Sequence, residues 1–175
     1  MEQVILVDIE DCEVGVMEKM EAHKHAQLHR AFSVFLFNKQ GKMLLQQRAF
    51  SKYHSGGLWT NACCSHPRPG ESLESAVSRR LFEEMGIATP VTKAFDFIYQ
   101  AELPNELVEH EFDHVFIGNY DGEVAPNHLE VANFVYQSIE EVNINLFSSP
   151  DRYTVWFKIA FPKVVEWYKA NFLVS

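Results

Sequence analysis

Ser72 to Met85 is the segment that most limits what this chain can become. Leu73, Ala76, Val77 and Leu81 recur at helical spacing and form one apolar stripe, while Arg79, Arg80, Glu83 and Glu84 crowd its second half. Gly86 follows as a natural helix stop. Just upstream, His66-Pro67-Arg68-Pro69-Gly70-Glu71 cannot continue a strand, because its prolines and glycine force a turn. Before that turn, Trp59 to His66 reads as a short strand whose alternation sends Thr60, Ala62, Cys64 and His66 to one face. A thiol and an imidazole are then aimed into the same space, with a rigid loop and a charged helix behind them. Such a unit needs a sheet to cover the helix stripe.

The remaining sequence supplies that sheet. Val4 to Ile9 reads as a strand, and Val14 to Ala22 as a second short strand or turn. Arg30 to Phe37 alternates poorly and is rich in Phe and Val, so it is expected to be buried on both faces. Asn38-Lys39-Gln40-Gly41 predicts a hairpin turn into a strand from Lys42 to Gln47. Arg48 to Gly57 reads as a polar loop, and Thr92 to Leu103 as a strand ended by Pro104-Asn105. Leu107 to Tyr120 is a long strand with Glu109, Glu111 and Asp113 on one face and Val108, His110, Phe112 and His114 on the other. Asn133 to Ser138 gives a last strand and Ser138 to Leu146 a short helix. A terminal helix over Arg152 to Phe172 is expected to kink or divide at Pro162. Strands around one helix, with more helices at the end, give an α/β or α+β class.

Length and charge narrow the function. At 175 residues the chain is most simply one domain, spanning residues 1–175. Its net charge of -9 argues against a nucleic-acid footprint, yet leaves room for an anionic substrate held by a few local cations. No apolar run approaches membrane-spanning length, and a cytosolic protein without membrane or nucleic-acid partners is expected, as a monomer or weak dimer. Cys12, Cys63 and Cys64 make an odd number, unlike a disulfide framework; a bond between neighbouring Cys63 and Cys64 would be strained, so these two read as free thiols.

Two resemblances converge on the central segment. Ser65 to Ile87 resembles the Nudix box: Glu71, Arg79, Leu81, Glu83, Glu84, Gly86 and Ile87 fit it. Ser65 stands where the box opens on glycine, and Arg80 where it carries the first glutamate of an Arg-Glu pair. A guanidinium there removes a metal ligand and repels metal. More specifically, Trp59-Thr60-Asn61-x-x-Cys64-x-His66-Pro67 resembles the signature of the type I isopentenyl-diphosphate delta-isomerases, which share the Nudix fold; Leu28 to Asn38 is similar to the same family. The resemblance implies a Nudix-type α/β/α sandwich with a mixed sheet, an N-terminal strand and C-terminal helices.

It also implies a site. His23, His29, His66, Glu109 and Glu111 match the family's metal ligands, with His25 close enough to compete with His23. Three imidazoles with two carboxylates suit one Zn²⁺ or Mn²⁺ (or Fe²⁺). Glu84 matches the ligand of a Mg²⁺ that bridges the diphosphate oxygens. Cys64 and Glu111 match the proton-transfer pair that shifts a double bond through a tertiary carbocation, with Glu111 as the acid toward the alkene. Tyr99 and Trp156 match the site's aromatic residues, the indole face steadying the cation. Val155 stands where the family usually has proline. Lys19, Arg48, Lys52 and Arg80 match its anion-binding positions. The implied substrate is a small isoprenoid diphosphate; the rival expectation is a Nudix pyrophosphohydrolase of a nucleoside diphosphate derivative.

Overall fold

The computed structural model describes residues 2–172, and its centre is β3 (His29–Phe37), buried on both faces as its composition predicts. Phe32, Val34 and Leu36 face one layer; Phe35 and Phe37 face the other. The first layer is α2 (Leu73–Met85), whose Ala76, Val77 and Leu81 form the expected stripe, with Leu73 half-buried at its margin and Met85 extending it. Opposite lie α3 (Ile139–Ser148) and α4 (Val155–Phe172), delivering Val142, Phe157, Ala160, Phe161 and Val164. Each large side chain so buried contributes about 1.5 to 3 kcal/mol. Sequence periodicity therefore yields an α/β/α sandwich.

The sheet is mixed. β3 runs parallel to β8 (Leu107–Asn119), with His29 paired to Glu111 and Phe37 to Asn119. β7 (Thr92–Leu103) continues antiparallel on the far side of β8, and β1 (Gln3–Val7) joins β3 at Leu6 and His29. β2 (Glu13–Glu18) flanks β1, and α1 (Lys19–Lys24) follows at once. The Val14–Ala22 expectation is therefore corrected: its second half is helical, with the Glu18 carboxylate accepting from the Glu21 amide as N-cap.

β4 (Met43–Arg48) leaves β3 after a turn in which Asn38 Oδ1 accepts from the amides of Gln40 and Lys42. The two strands pair at Phe37 and Met43 and then part. Into the opening goes the Trp59–Ser65 segment, split in two. β5 (Trp59–Thr60) pairs with β4, and β6 (Cys63–Ser65) pairs with β3; β9 (Val131–Gln137) covers the other edge of β4. This corrects the reading of one continuous strand with a shared face. Ala62 turns into the α2 core, whereas Cys64 packs with Tyr99 and Trp156. Side chains close the gap the break leaves. Asn61 Nδ2 donates to the carbonyls of Val34 and Cys63, and Gln46 Nε2 to that of Ala62.

Helix ends follow their local chemistry. Ser72 caps α2, and Gly86 ends it at φ 66°, where a Cβ would stand 2.6 Å from the Ala125 carbonyl oxygen. Ser138 and Glu141 form a capping box for α3. At the terminal helix two corrections apply. Pro150–Arg152 forms a separate 3₁₀ turn, and α4 starts at Val155. Pro162, the eighth residue of α4, does not divide it: the helix runs unbroken from Val155 to Phe172, at the cost of the one backbone bond that the missing N–H cannot make. Among the described residues no helix is long and apolar enough to cross a membrane.

Candidate active site

Beside β6, between the turn that follows it, α2 and β8, lies a cavity of about 630 Å³. His29 (β3), His66 (after β6), Glu111 (β8) and His23 (α1) converge at its floor, each offering a ligand atom within 4.8 Å of the others. The register explains this: His29 lies beside Glu111 across the parallel seam, and the turn after β6 swings His66 onto the same carboxylate. His66 Nε2 stands 2.9 Å from Glu111 Oε1, and His29 Nε2 3.6 Å. His29 Nδ1 donates to the Gln27 carbonyl at 2.8 Å, which leaves Nε2 as the lone-pair nitrogen facing the cluster. Both ring nitrogens of His23, with Nε2 of His29 and Nδ1 of His66, are buried without a hydrogen-bond partner. Buried donors and acceptors are normally paired, so orphaned imidazole nitrogens around one carboxylate fit a transition-metal ion. His25 points elsewhere: its exposed ring sits 3.4 Å from Glu21.

Burial disfavours the charged forms of His23 and His66. Burial drives His23 down to about 3, and the neighbouring His66 and His29 add to the effect. Burial also lowers His66 against the pull of Glu111. Burial by itself would raise Glu111, but the adjoining His29 and His66 imidazoles, the latter at hydrogen-bond distance, hold it well below the carboxylate range. Glu109 is raised well above that range by burial and by the Glu111 charge. The Tyr99 hydroxyl bridges them, 2.7 Å from Glu111 and 3.0 Å from Glu109. Glu109 itself stands just outside the four-residue cluster, with His54 Nε2 at 3.8 Å.

Cys64 lies on the wall with Tyr99 and Trp156. Its Sγ donates to Asn61 Oδ1 at 3.0 Å and lies 3.5 Å from Ser33 Oγ, which in turn donates to Asp113 at 2.8 Å. Burial pushes the thiol up to about 12, and the charge of Asp113 acts the same way. Burial likewise lifts Asp113 to about 8. Trp156 presents its ring to Arg48, whose guanidinium carbon is 5.2 Å from the ring centre, and its buried Nε1 has no partner.

The cations gather at the mouth. Arg80 bonds Glu83 at 2.7 Å and also reaches Glu84 and Glu130; Lys52 pairs with Glu130, and Lys19 with Glu2 at 3.2 Å. Glu84 is engaged at both oxygens, by Arg80 and by Gln46. All four basic residues named from the sequence thus line one cavity. Sequence reasoning missed Tyr53, His54 and Glu130, which line it too. Tyr53 and His54 were hidden in a stretch that reads as polar loop, and Glu130 carries no motif. Asn61 lay inside the signature, but nothing in its spacing revealed its bonds.

A mixed sheet carrying this box helix, backed by C-terminal helices and opening on a cation-rimmed cleft, defines a NUDIX domain, and the NUDIX domain family model matches residues 27–157. Solved structures share the fold at low identity. DR0079 from Deinococcus radiodurans gives a TM-score of 0.70 at 19% identity, covering 85% of this chain and 90% of that one. The MutT protein from Methanosarcina mazei Go1 gives 0.65 at 20% identity, covering 79% and 94%. Sequence relatives are far more similar. The isopentenyl-diphosphate Delta-isomerase of Pectobacterium atrosepticum is 46% identical over 168 residues, 96% of this chain and 94% of its own. That of Burkholderia multivorans is 49% identical over 156 residues, 89% of each chain. Within the NUDIX domains, this chain belongs to the isopentenyl-diphosphate Delta-isomerase family.

Proposed function

We propose that this chain is an isopentenyl-diphosphate isomerase, interconverting isopentenyl and dimethylallyl diphosphate in the cytosol as a step of isoprenoid synthesis. The observation that carries the reading is that Cys64 and Glu111 line one cleft floored by histidines and walled by Tyr99 and Trp156. One proton is added at the terminal alkene carbon, leaving a tertiary cation; another leaves C2, giving the allylic product. No electrons are exchanged, so two proton-transfer groups suffice. Glu111 delivers the first proton, held in line by the Tyr99 hydroxyl bond, and Cys64 takes the second from the other wall. A turnover toward dimethylallyl diphosphate begins with Glu111 protonated and Cys64 as the thiolate and ends with the reverse, and proton exchange through the open cleft restores the starting state. The Trp156 face, already beside the Arg48 cation, suits a positive charge.

His23, His29, His66 and Glu111, with Glu109, would hold Zn²⁺ or Mn²⁺, which would supply fixed positive charge that orients Glu111. Mg²⁺ would accompany the diphosphate near Glu84, while Lys19, Arg48, Lys52 and Arg80 neutralise the oxygens. The hydrolase alternative is disfavoured by Arg80, which stands where the box carries a metal-binding glutamate. The test is NMR of isopentenyl diphosphate with protein, Mg²⁺ and Zn²⁺ in D₂O. Dimethylallyl diphosphate carrying deuterium is the expected product; phosphate release with no new alkene would overturn the proposal.

A further inference from the structure

Cys64 is tied to a chain of side chains that leads across the site to the last helix. Its Sγ donates to Asn61 Oδ1 at 3.0 Å. The same oxygen accepts from Thr60 Oγ1 at 2.9 Å, and Thr60 Oγ1 accepts from Thr154 Oγ1 at 3.1 Å. Thr154 is the residue before α4, and its oxygen accepts the amide of Phe157 while its own amide donates to the Trp59 carbonyl at 3.0 Å. Two residues on, α4 presents Trp156 to the cleft. Thr60, Asn61 and Thr154 are at most 1% exposed. The Asn61 amide cannot rotate freely, because both its N–H groups are committed to the carbonyls of Val34 and Cys63. Its oxygen is therefore directed at the thiol, and the S–H is directed out of the strand toward that oxygen.

We propose that Asn61, Thr60 and Thr154 are positioning residues, a buried hydroxyl–amide chain that fixes Cys64 Sγ relative to the helix bearing Trp156. The proposal rests on the reading that thiol and indole face one reacting carbon skeleton. Its logic is geometric. β6 is three residues long and follows a break in the strand, so backbone pairing alone holds Cys64 loosely, and the chain supplies the missing restraint. Proton transfer to or from carbon tolerates little displacement, and a misplacement of about 1 Å can cost about a hundredfold in rate. Binding of the diphosphate at the cleft mouth makes no use of the chain.

The test is the set Thr60→Val, Thr60→Ser, Thr154→Val and the Val/Val double variant, in a Cys12→Ser background. Thr60→Val keeps shape and deletes the hydroxyl; it is expected to lower kcat about tenfold or more, with KM within about twofold. Thr60→Ser is expected to restore kcat. Because both hydroxyls serve one chain, the double variant is expected to be no slower than the slower single one. Iodoacetamide modification of Cys64, followed by peptide mapping, reads the thiol without substrate, and it is expected to accelerate several-fold in Thr60→Val. Unchanged kcat with unchanged alkylation, or losses that multiply in the double variant, would overturn the proposal. If Thr60→Val does not yield folded protein, Thr154→Val carries the same comparison. A wild type that does not isomerise at all defeats the functional reading instead, and the alkylation series still decides whether the chain restrains the thiol.

Discussion

Tyr99→Phe isolates one hydroxyl at the heart of the site. Tyr99 is 7% exposed, and its ring packs among Ala101, Leu103 and Trp156, so phenylalanine fills the same volume. What disappears is a donor 2.7 Å from Glu111 and 3.0 Å from Glu109. A hydrogen bond to a charged group is worth about 1.5 to 3 kcal/mol. At about 1.4 kcal/mol per factor of ten, kcat should fall roughly ten- to a hundredfold if the bond holds Glu111 in its reacting orientation. KM should stay near its original value, because the cations that meet the diphosphate are untouched. Unfolding free energy should also drop by about 1 to 3 kcal/mol, since Glu111 loses its hydroxyl donor and Glu109 loses a buried partner. Product formation followed by NMR and urea unfolding give the two numbers. Full activity in a destabilised Tyr99→Phe variant would refute the claim that this bond orients Glu111.

Two further expectations concern metal and pH. His23→Gln should weaken Zn²⁺ binding, read by equilibrium dialysis, by at least about tenfold, the loss found even for residues that only orient a ligand; His25→Gln should leave it unchanged, and equal losses would remove His23 from the cluster. Glu71 is held from its ordinary 4.5 down to about 2, chiefly by the Arg79 hydrogen bonds. A depressed folded-state value stabilises above the unfolded one, so at pH 7 Glu71→Gln should cost about 1 to 2 kcal/mol after allowance for solvent screening. That difference should vanish as pH falls from about 4.5 toward 2, and a pH-independent difference would mean that the cost is packing.

The helix α2 and the double-faced burial of β3 were legible because each depends on local periodicity and composition. Cys64, Glu111 and the histidines could be singled out only through the resemblance around Cys64, and the structure gathers them into one cleft. Spacing could not show that His29 meets Glu111, because that depends on parallel register between distant strands. The break at Asn61–Ala62 was invisible for a different reason. Trp59 to Ser65 has strand composition throughout, and what divides it is the parting of β3 from β4. The helical start at Lys19 was similarly masked, since Met17 to Ala22 carries little apolar rhythm and the Glu18 cap is an uncommon one. His54 could not be singled out within its polar loop, yet burial and the Arg48 charge lower it to about 3.

The parallel seam between β3 and β8 also sets when during folding the protein becomes an enzyme. Ser33 and Asp113 bond across it although 80 residues separate them. Closing so long a loop must precede any return from the contacts it makes, so such pairings form slowly. The β7–β8 hairpin, turning between Leu103 and Leu107, can form early and alone. During synthesis, the apolar faces of β3 and α2 emerge from the ribosome well before the strand that completes their layer. Exposed strand edges in that interval invite association between chains. The histidine cluster draws its members from α1, β3, the turn after β6, and β8, so it assembles only at the end. A metal ion captured there would act as a late latch on a chain already folded, and newly made protein would be at greatest risk before β8 docks.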